Sequence, residues 1–413
     1  MDRLLLLIPS TTYNTHEFIE AAERLRAEVV VASERRQVLE AAVPEKMLAL
    51  DLYDLERAVE QIAEHARRWP IGAVVGVDDH TALLAAMAHQ ALGIASANSP
   101  ESVRAAGNKL LLRTALSNAG LASPAFTAHE VAADPRPLAS TISYPCVLKP
   151  LFLAASRGVI RADDEDGFAE AWVRIEQLLA RPVVRRRGGD DAGRILVEDY
   201  IPGIEVALEG LLSGGELDVL ALFDKPDPLE GPYFAETLYI TPSALAPELQ
   251  EQIAATTEAA ASALGLREGP VHAELRINDK GIFVVECAAR SIGGLCSRIL
   301  RFGAGISLEE LVLGHLLGRA PDAHLQREER AGGVMMLPVP SKGVLREVRG
   351  ADGARLVDQV EDVVITIPYG ERVEPLPEGD RYLGFVFARG DSPRQVEEAL
   401  RRAYRQLEVV IGP

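Results

Sequence analysis

The chain has 413 residues, 48% of them apolar and 25% charged, and its 43 basic against 61 acidic residues give a formal charge of −18. This balance is typical of folded globular proteins and excludes disordered or collagen-like chains, and the length predicts about two to four domains. Such an acidic surface repels nucleic-acid phosphates and anionic lipids, so we expect neither nucleic acid nor membrane as a partner.

The cysteines and the apolar runs indicate the cellular compartment in which the protein is found. Cys146, Cys287 and Cys296 form no Cys-x-x-Cys pair, which suits a reducing environment. The apolar run at residues 4–8 is too short for a signal peptide and is interpreted as a first buried strand. No run approaches the ~18 apolar residues that cross a bilayer. We therefore expect a cytoplasmic protein.

In chain order, the first predicted elements alternate between buried strands and helices. The strands fall at 4–8, 29–31 and 73–77, and the helices at 18–25, 54–68 and 81–91. This alternation indicates a parallel sheet built from βαβ units. A single helix at 100–119 is predicted next, with Ser99 and Pro100 marking its start.

The rest of the chain has a mixed α+β pattern. A strand near 145–149 and a helix at 166–180 precede the polar stretch 185–193, which is predicted to be a mobile loop. Further along, two strands joined at Ser213-Gly214-Gly215, a helix at 247–264 and a hairpin at 271–287 are predicted. From residue 331, short strands with Pro and Gly turns lead to a closing helix at 393–406.

Two glutamates face each other in the predicted hairpin at 271–287. A three-residue loop pairs Asn278 with Ile282 and places Glu274 directly opposite Glu286. Facing carboxylates repel, and a magnesium ion, which takes one or two carboxylates and fills its other positions with water and phosphate oxygens, would offset the repulsion. The alternatives are a two-residue loop that puts the glutamates out of register, or solvated surface charges.

Lys109 and Lys149 are two of only six lysines in the chain. Lys109 follows Gly107-Asn108 at the start of a helix, and Lys149 ends a short apolar strand, where a charge is unusual. The small residues around Ser156-Arg157-Gly158 predict a turn whose amides can cradle a phosphate. Taken alone, each lysine is more often a surface residue, and the Ser-Arg-Gly stretch more often only a tight turn.

The segment 197–206, with the sequence VEDYIPGIEV, predicts a strand that breaks at Ile201-Pro202-Gly203 and then resumes. A break of this kind frees backbone N–H and C=O groups that must pair elsewhere. The edge of an adenine ring offers both a donor and an acceptor for them.

The order of these features resembles the ATP-grasp superfamily: two lysines, a Ser-Arg-Gly loop, the EDYIPGIE segment and paired glutamate strands. No Walker A, Rossmann or metalloprotease motif competes with it. Within the superfamily, the L-amino-acid ligase branch of the carboxylate–amine ligases is similar in four stretches, at 223–226, 231–236, 285–290 and 382–385.

The resemblance implies an ATP-grasp fold of mixed α/β and α+β class. It assigns a doubly wound N-terminal domain to 1–97, a linker helix to 98–122, a mobile lid to 123–197, the core antiparallel sheet with the metal and substrate site to 198–330, and a C-terminal α+β cap to 331–413. The empty lid is expected to make few contacts with the core.

The resemblance also implies a role for each candidate site residue. Phosphate contacts fall to Lys109 and Lys149, the phosphate-covering loop to Ser156, Arg157 and Gly158, the adenine hinge to Glu198, Tyr200 and Ile201, and the ribose to Glu205. The metal ligands are Glu274 and Glu286. The catalytic residues are Arg290 and Lys225, and the substrate residues are His272, Glu236, Ser291, Gly293 and Gly294.

The implied activity is ADP-forming ligation of a small-molecule carboxylate to an amine through an acyl phosphate, with ATP and Mg²⁺, or Mn²⁺ in its place, and a homodimer as the candidate assembly. Two alternatives stay open. One is a bicarbonate-dependent ligase that forms carboxyphosphate. The other is a non-catalytic ATP-binding regulator, suggested by Ala288 at a common third metal-ligand position and by Ala154 and Ala155 where glycines are common.

Overall fold

The computed structural model describes residues 3–10, 12–34, 43–94, 97–303, 305–319 and 326–413. The N-terminal part contains β1 (Arg3–Leu7), α1 (Thr15–Arg24), β2 (Glu28–Ser33), β3 (Met47–Ala49), α2 (Leu55–Arg68), β4 (Ala73–Gly76) and α3 (Asp79–Leu92). Its strands form a parallel sheet in the order β3-β2-β1-β4. The predicted doubly wound domain is therefore present, and the carboxyl end of β4 leads directly into α3.

Two helices, α4 (Pro100–Gly107) and α5 (Lys109–Asn118), replace the single helix predicted at 100–119. The break is at Asn108, whose backbone is extended and whose side-chain oxygen accepts hydrogen bonds from the amides of Leu110 and Leu111. Asparagine favours this capping position over a helix interior. The break makes Lys109 the first residue of α5.

The lid contains β5 (Phe126–Glu130), α6 (Pro135–Ala139), β6 (Cys146–Pro150), β7 (Ile160–Ala162), α7 (Glu165–Leu179), α8 (Pro182–Gly188) and β8 (Arg194–Asp199). Its antiparallel sheet has the order β5-β8-β6-β7 and buries Trp172 of α7. The mobile loop predicted at 185–193 is wrong, because this stretch is the end of α8 followed by a 3₁₀ helix (Gly189–Gly193). Pro182 begins α8, and Val184 anchors it in the lid core.

The core sheet continues into the C-terminal region. The core elements are β9 (Ile204–Ser213), β10 (Glu216–Lys225), β11 (Leu238–Thr241), α9 (Pro247–Ala263), β12 (Gly269–Asn278), β13 (Gly281–Ala288), a 3₁₀ helix (Cys296–Ile299) and α10 (Leu308–Leu316). The C-terminal elements are β14 (Ala331–Leu337), β15 (Gly343–Arg349), α11 (Ala351–Arg355), β16 (Val360–Ile365), β17 (Arg372–Val373), β18 (Gly384–Gly390), α12 (Pro393–Tyr404) and β19 (Glu408–Gly412).

Eight strands form one sheet in the order β13-β12-β9-β10-β11-β14-β18-β16, while β17-β15-β19 form a small separate sheet. Three C-terminal strands thus extend the core sheet, and the cap is joined to the core by backbone hydrogen bonds. None of the helices in the described ranges is both long and apolar enough to cross a bilayer.

The β12–β13 hairpin places Glu274 opposite Glu286 by a route that differs from the expected one. Its loop has two residues, since Asn278 pairs with Gly281 and Ile277 with Ile282. A β-bulge opposite Glu274 and Leu275 then shifts the ladder by one residue and restores the Glu274–Glu286 pair. The expected three-residue loop is wrong, but the expected glutamate pair is present.

Candidate active site

A cavity of about 290 Å³ lies where the lid, the core sheet, the N-terminal domain and the C-terminal region meet. The structure brings most of the predicted site residues together on its wall: Lys109, Lys149, Ser156, Glu198, Tyr200, Ile201, Glu205, Glu236, His272, Glu274, Glu286, Arg290, Gly293 and Gly294.

Four predicted residues do not line this cavity. Arg157 turns to the C-terminal region, where its Nε donates to the Glu378 carbonyl at 3.0 Å, and the Gly158 amide donates to the Pro377 carbonyl at 2.8 Å. Ser291 lines a smaller cavity behind the site. Lys225 lies buried beneath the cavity wall. Sequence order alone does not show which face of a loop or strand is covered.

Lys225 is the centre of a buried acidic cluster. Its Nζ donates to Oε1 of Glu205 at 2.9 Å, of Glu236 at 2.6 Å and of Glu274 at 2.9 Å. Burial alone would lower the lysine pKa, but the three carboxylates hold it well above its usual range. Burial and the nearby Glu274 raise the pKa of Glu236 to about 8. Lys225 therefore binds carboxylates as a fixed cation.

His272 of β12 bridges a carboxylate on the neighbouring strand β9 and a carboxylate on its own strand. Its Nδ1 lies 3.0 Å from Oε2 of Glu209, and its Nε2 lies 3.6 Å from Oε1 of Glu274. Burial opposes protonation, but the two carboxylates outweigh it and raise the pKa of His272 to about 9. Glu209 is fully buried and accepts the Ile292 amide hydrogen bond at 3.0 Å. A charged His272 thus ties β12, through Glu209, to the loop after β13.

Glu198 holds two cations at the cavity wall. It binds Arg113 at 2.8 Å and Lys149 at 2.6 Å, and all three side chains are buried. Burial would raise the carboxyl pKa, but the two cations lower it. The guanidinium of Arg113 also donates to the Val284 and Val285 carbonyls of β13. Arg113, which the sequence interpretation missed, therefore connects the phosphate-side lysine to the Glu286 strand.

The strand break at 200–203 has the predicted form. Gly203 has φ +121°, and a Cβ there would lie 2.1 Å from the Ile277 carbonyl oxygen, so only glycine fits. Arg276 crosses this hinge, donating to the Ile201 carbonyl at 2.7 Å and to Glu205 at 2.7 Å. The alternation of β12 puts Arg276 on the same face as Glu274, which is a signal that could have placed it at the site.

Arg290 is held by the N-terminal domain. Its guanidinium binds Asp79 at 2.8 and 3.3 Å and reaches Glu286 at 3.4 Å. Burial would lower the pKa of Arg290, but Asp79 and Glu286 raise it. Asp79 was missed, although an acidic residue at the carboxyl end of a parallel strand is a usable signal, since ligand sites form there in open α/β sheets.

The residues fit a divalent cation in one arrangement. Glu274 and Glu286 are register partners on the cavity wall and supply the oxygen ligands that magnesium prefers. A second acidic group, Glu205, Glu236 and Glu274, has carboxylate oxygens within 4.8 Å of one another. The ammonium of Lys225 already occupies the centre of that group, so the facing pair is the better candidate for the metal.

Three family models match successive parts of the chain: the ATP-grasp N-terminal domain at 19–95, the ATP-grasp domain at 142–299, and the L-amino acid ligase C-terminal domain 2 at 335–412. The chain belongs to the ATP-grasp superfamily and carries the C-terminal domain of the L-amino acid ligases. By class it is an ATP-dependent, ADP-forming carboxylate–amine ligase.

Two relatives with ligase names agree with this class, and a third relative is uncharacterized. The crystal structure of L-amino acid ligase from Bacillus licheniformis matches with a TM-score of 0.85 and 26% identity, over 100% of this chain and 99% of that one. Alanine–anticapsin ligase of Bacillus subtilis is 26% identical, and the match covers 66% of this chain and 60% of the relative. The uncharacterized protein y4rH of Sinorhizobium fredii is 23% identical over the whole chain and 84% of its own length.

Proposed function

We propose that this protein activates the carboxylate of an amino acid with ATP and joins it to the amine of a second amino acid. The observation that carries the proposal is the cavity in which buried cations and a facing glutamate pair meet under the lid. Relatives named alanine–anticapsin ligase and L-amino acid ligase support this substrate class. Alanine is therefore the first carboxylate to test.

The cavity's side chains suit this chemistry by position. Lys109 and Lys149 neutralise nucleotide phosphates, and the Tyr200–Ile201 hinge receives the adenine. Glu274 and Glu286 would hold Mg²⁺, or Mn²⁺ in its place, which neutralises phosphate charge when bound. The Arg290 guanidinium, which Asp79 holds through Nε and Nη2, brings a fixed positive charge to the phosphoryl oxygens as charge develops on them.

The reaction then needs no protein nucleophile. The substrate carboxylate attacks the γ-phosphate, ADP leaves, and the amine attacks the acyl phosphate and expels phosphate. Burial raises the pKa of Cys296, the thiol that lines the cavity, so it stays a neutral thiol. The lid excludes water, which would otherwise hydrolyse the acyl phosphate.

The test is a panel of amino acids, singly and in pairs, assayed for phosphate release with Mg-ATP. Release that requires two amino acids, together with a product of their summed mass less water, supports the proposal. Release that requires bicarbonate favours a carboxyphosphate ligase, and ATP binding without release under any condition favours a non-catalytic regulator. The homodimer and the cytoplasmic location stay predictions of the sequence.

A further inference from the structure

One end of the cavity is lined by neutral side chains from three parts of the molecule. Tyr13 comes from the loop after β1, Ile292 from the loop after β13, and Met336 and Tyr382 from the C-terminal region. We call these four residues the Tyr13–Tyr382 subsite. None of the four carries a charge, although Asp380 also lines the cavity, and Asp380 and Arg381 act with opposite signs on the Tyr13 hydroxyl.

The subsite is held together across the domains. The Tyr382 amide donates to the Tyr13 hydroxyl at 2.9 Å, and the Tyr13 ring meets Phe385 edge-on at 5.3 Å between centroids. Met336 is 3% exposed and Ile292 is 2% exposed. Burial raises the pKa of Tyr13 to about 12, so its hydroxyl stays neutral. These contacts fix the shape of the subsite.

The hydroxyl of Tyr382 has no partner in the protein. Its oxygen is buried and makes no hydrogen bond to any group in the part of the chain that the structure describes. A buried hydroxyl without a partner is costly, and such groups are rare unless a ligand or water completes them. Because the residue lines the cavity, an occupant of the cavity can satisfy this hydroxyl.

The neighbouring charges limit the occupant. Glu236 and Lys225 act electrostatically on the Tyr382 hydroxyl. Both belong to the buried acidic cluster, in which Lys225 neutralises the carboxylates. An acidic side chain would meet Glu236, and a basic one would compete with Lys225 for its carboxylates. A neutral side chain disturbs neither interaction.

We propose that the Tyr13–Tyr382 subsite takes the neutral side chain of an amino acid substrate and that the Tyr382 hydroxyl hydrogen-bonds a polar group at its tip. This inference rests on the proposed function. It predicts a preference for threonine over valine and for asparagine over leucine, since these pairs share shape and differ in the polar group. A site built to bind such a group rejects the analogue without it.

The experiment compares threonine with valine and asparagine with leucine, on wild type and on Tyr382→Phe. For each amino acid, kcat/KM is measured with alanine as the second substrate. The Kd of each amino acid is measured by calorimetry in the presence of ADP and Mg²⁺. In Tyr382→Phe, the preference for the polar over the apolar amino acid of each pair, in kcat/KM and in affinity, should fall about 5- to 30-fold. The values for valine and leucine should change little. Tyr404→Phe, the same change at a half-exposed site on α12, should leave the ratio unchanged.

The two readouts separate this inference from the proposed function. A shifted Kd ratio without phosphate release from any pair supports the subsite and contradicts the ligase proposal. An equal loss for polar and apolar members, an unchanged ratio, or no amino acid binding at all overturns the inference, because Tyr382 would then only pack.

Discussion

At the residue scale, the Glu274–Glu286 pair is the most direct test of the metal assignment. We expect Glu274→Gln and Glu286→Gln each to reduce kcat by roughly 10² to 10³ while the protein stays folded, because each removes one metal ligand. Glu205 and Glu236 still neutralise Lys225 in the first variant. Phosphate release and circular dichroism measure the two properties.

Glu251→Gln is the matched control, since Glu251 is an exposed acid on α9. It should keep wild-type kcat. Wild-type turnover in both metal-ligand variants at unchanged Mg²⁺ would remove the pair from the site.

Arg290 can be tested together with its anchor. Arg290→Lys should leave the ATP Kd within a few-fold, because the lysines and the hinge supply most of that affinity. It should lower kcat by roughly 10² or more, since a lysine cannot make two parallel hydrogen bonds. Asp79→Asn should lower kcat less than Arg290→Lys does, because it keeps the guanidinium and removes only the ion pair that orients it.

The control is Arg104→Lys, at an exposed position on α4. If Arg290 only neutralises Asp79 and Glu286, the lysine variant keeps its charge and most of its activity. Near-wild-type kcat in Arg290→Lys would therefore assign it a structural role.

The sequence identified the residue types that line the cavity but not the pairs that hold them. The Arg113–Glu198 and Asp79–Arg290 pairs join residues 85 and 211 positions apart. Neither pair leaves a local pattern, because both depend on how separate domains meet. The adenine-hinge role of Glu198 stays a prediction, and its pairing with two cations elsewhere in the chain was missed for the same reason.

At the element scale, the β12–β13 hairpin shows how a register prediction can be right for a wrong reason. Alternation predicted both strands, and the turn residues predicted the hairpin. The bulge, which leaves Val285 of β13 without a register partner, compensates for the short loop. It was not predictable from the local pattern, because the Val284 and Val285 carbonyls at the bulge accept hydrogen bonds from Arg113, far away in the sequence. Turn chemistry alone therefore does not fix the glutamate pair.

The β4–α3 contact gives a pH prediction. His89 is buried, and its Nε2 accepts the Val74 amide hydrogen bond at 2.8 Å. Burial lowers the pKa of His89 from 6.5 to about 4, so the unfolded state binds the proton first as pH falls. The stabilisation is complete above pH 6.5 and is lost toward pH 4, by about 3 kcal/mol.

Urea unfolding of wild type and His89→Gln measures this loss. Glutamine keeps an acceptor but does not titrate, so the variant should lose less stability between about pH 7.5 and about pH 5. His16→Gln, at an exposed position, should behave as wild type. Parallel pH profiles for wild type and His89→Gln would contradict the assignment.

At the scale of the whole molecule, the lid is docked rather than weakly tethered. Arg174 binds Glu378 through two 2.8 Å contacts, and Arg181 binds Glu374 at 2.8 Å. Arg186 binds Asp51 of the N-terminal domain. The expectation of few lid contacts concerned the core alone; these docking contacts come from the C-terminal region and the N-terminal domain, which lie far from the lid in sequence.

We expect hydrogen exchange at residues 150–160 to slow when Mg-ATP is added, because the nucleotide adds contacts beneath the lid. Glu378→Gln should speed exchange there several-fold without nucleotide, since it weakens the Arg174 pair. Glu398→Gln, which breaks an exposed pair on α12, should have no such effect. Equal exchange with and without nucleotide would rule out nucleotide-dependent closure.

The three thiols lie in three different parts of the molecule, and all are buried: Cys146 in the lid, Cys287 in the core sheet and Cys296 at the cavity. Burial raises the pKa of Cys146 and of Cys287 to about 12. An alkylating reagent needs an exposed thiolate, so each cysteine is modified only when its own surroundings open. The natural chain thus carries three reporters of opening that mass spectrometry can separate. Mg-ATP should protect Cys146 more than Cys287 if the lid is the part that moves.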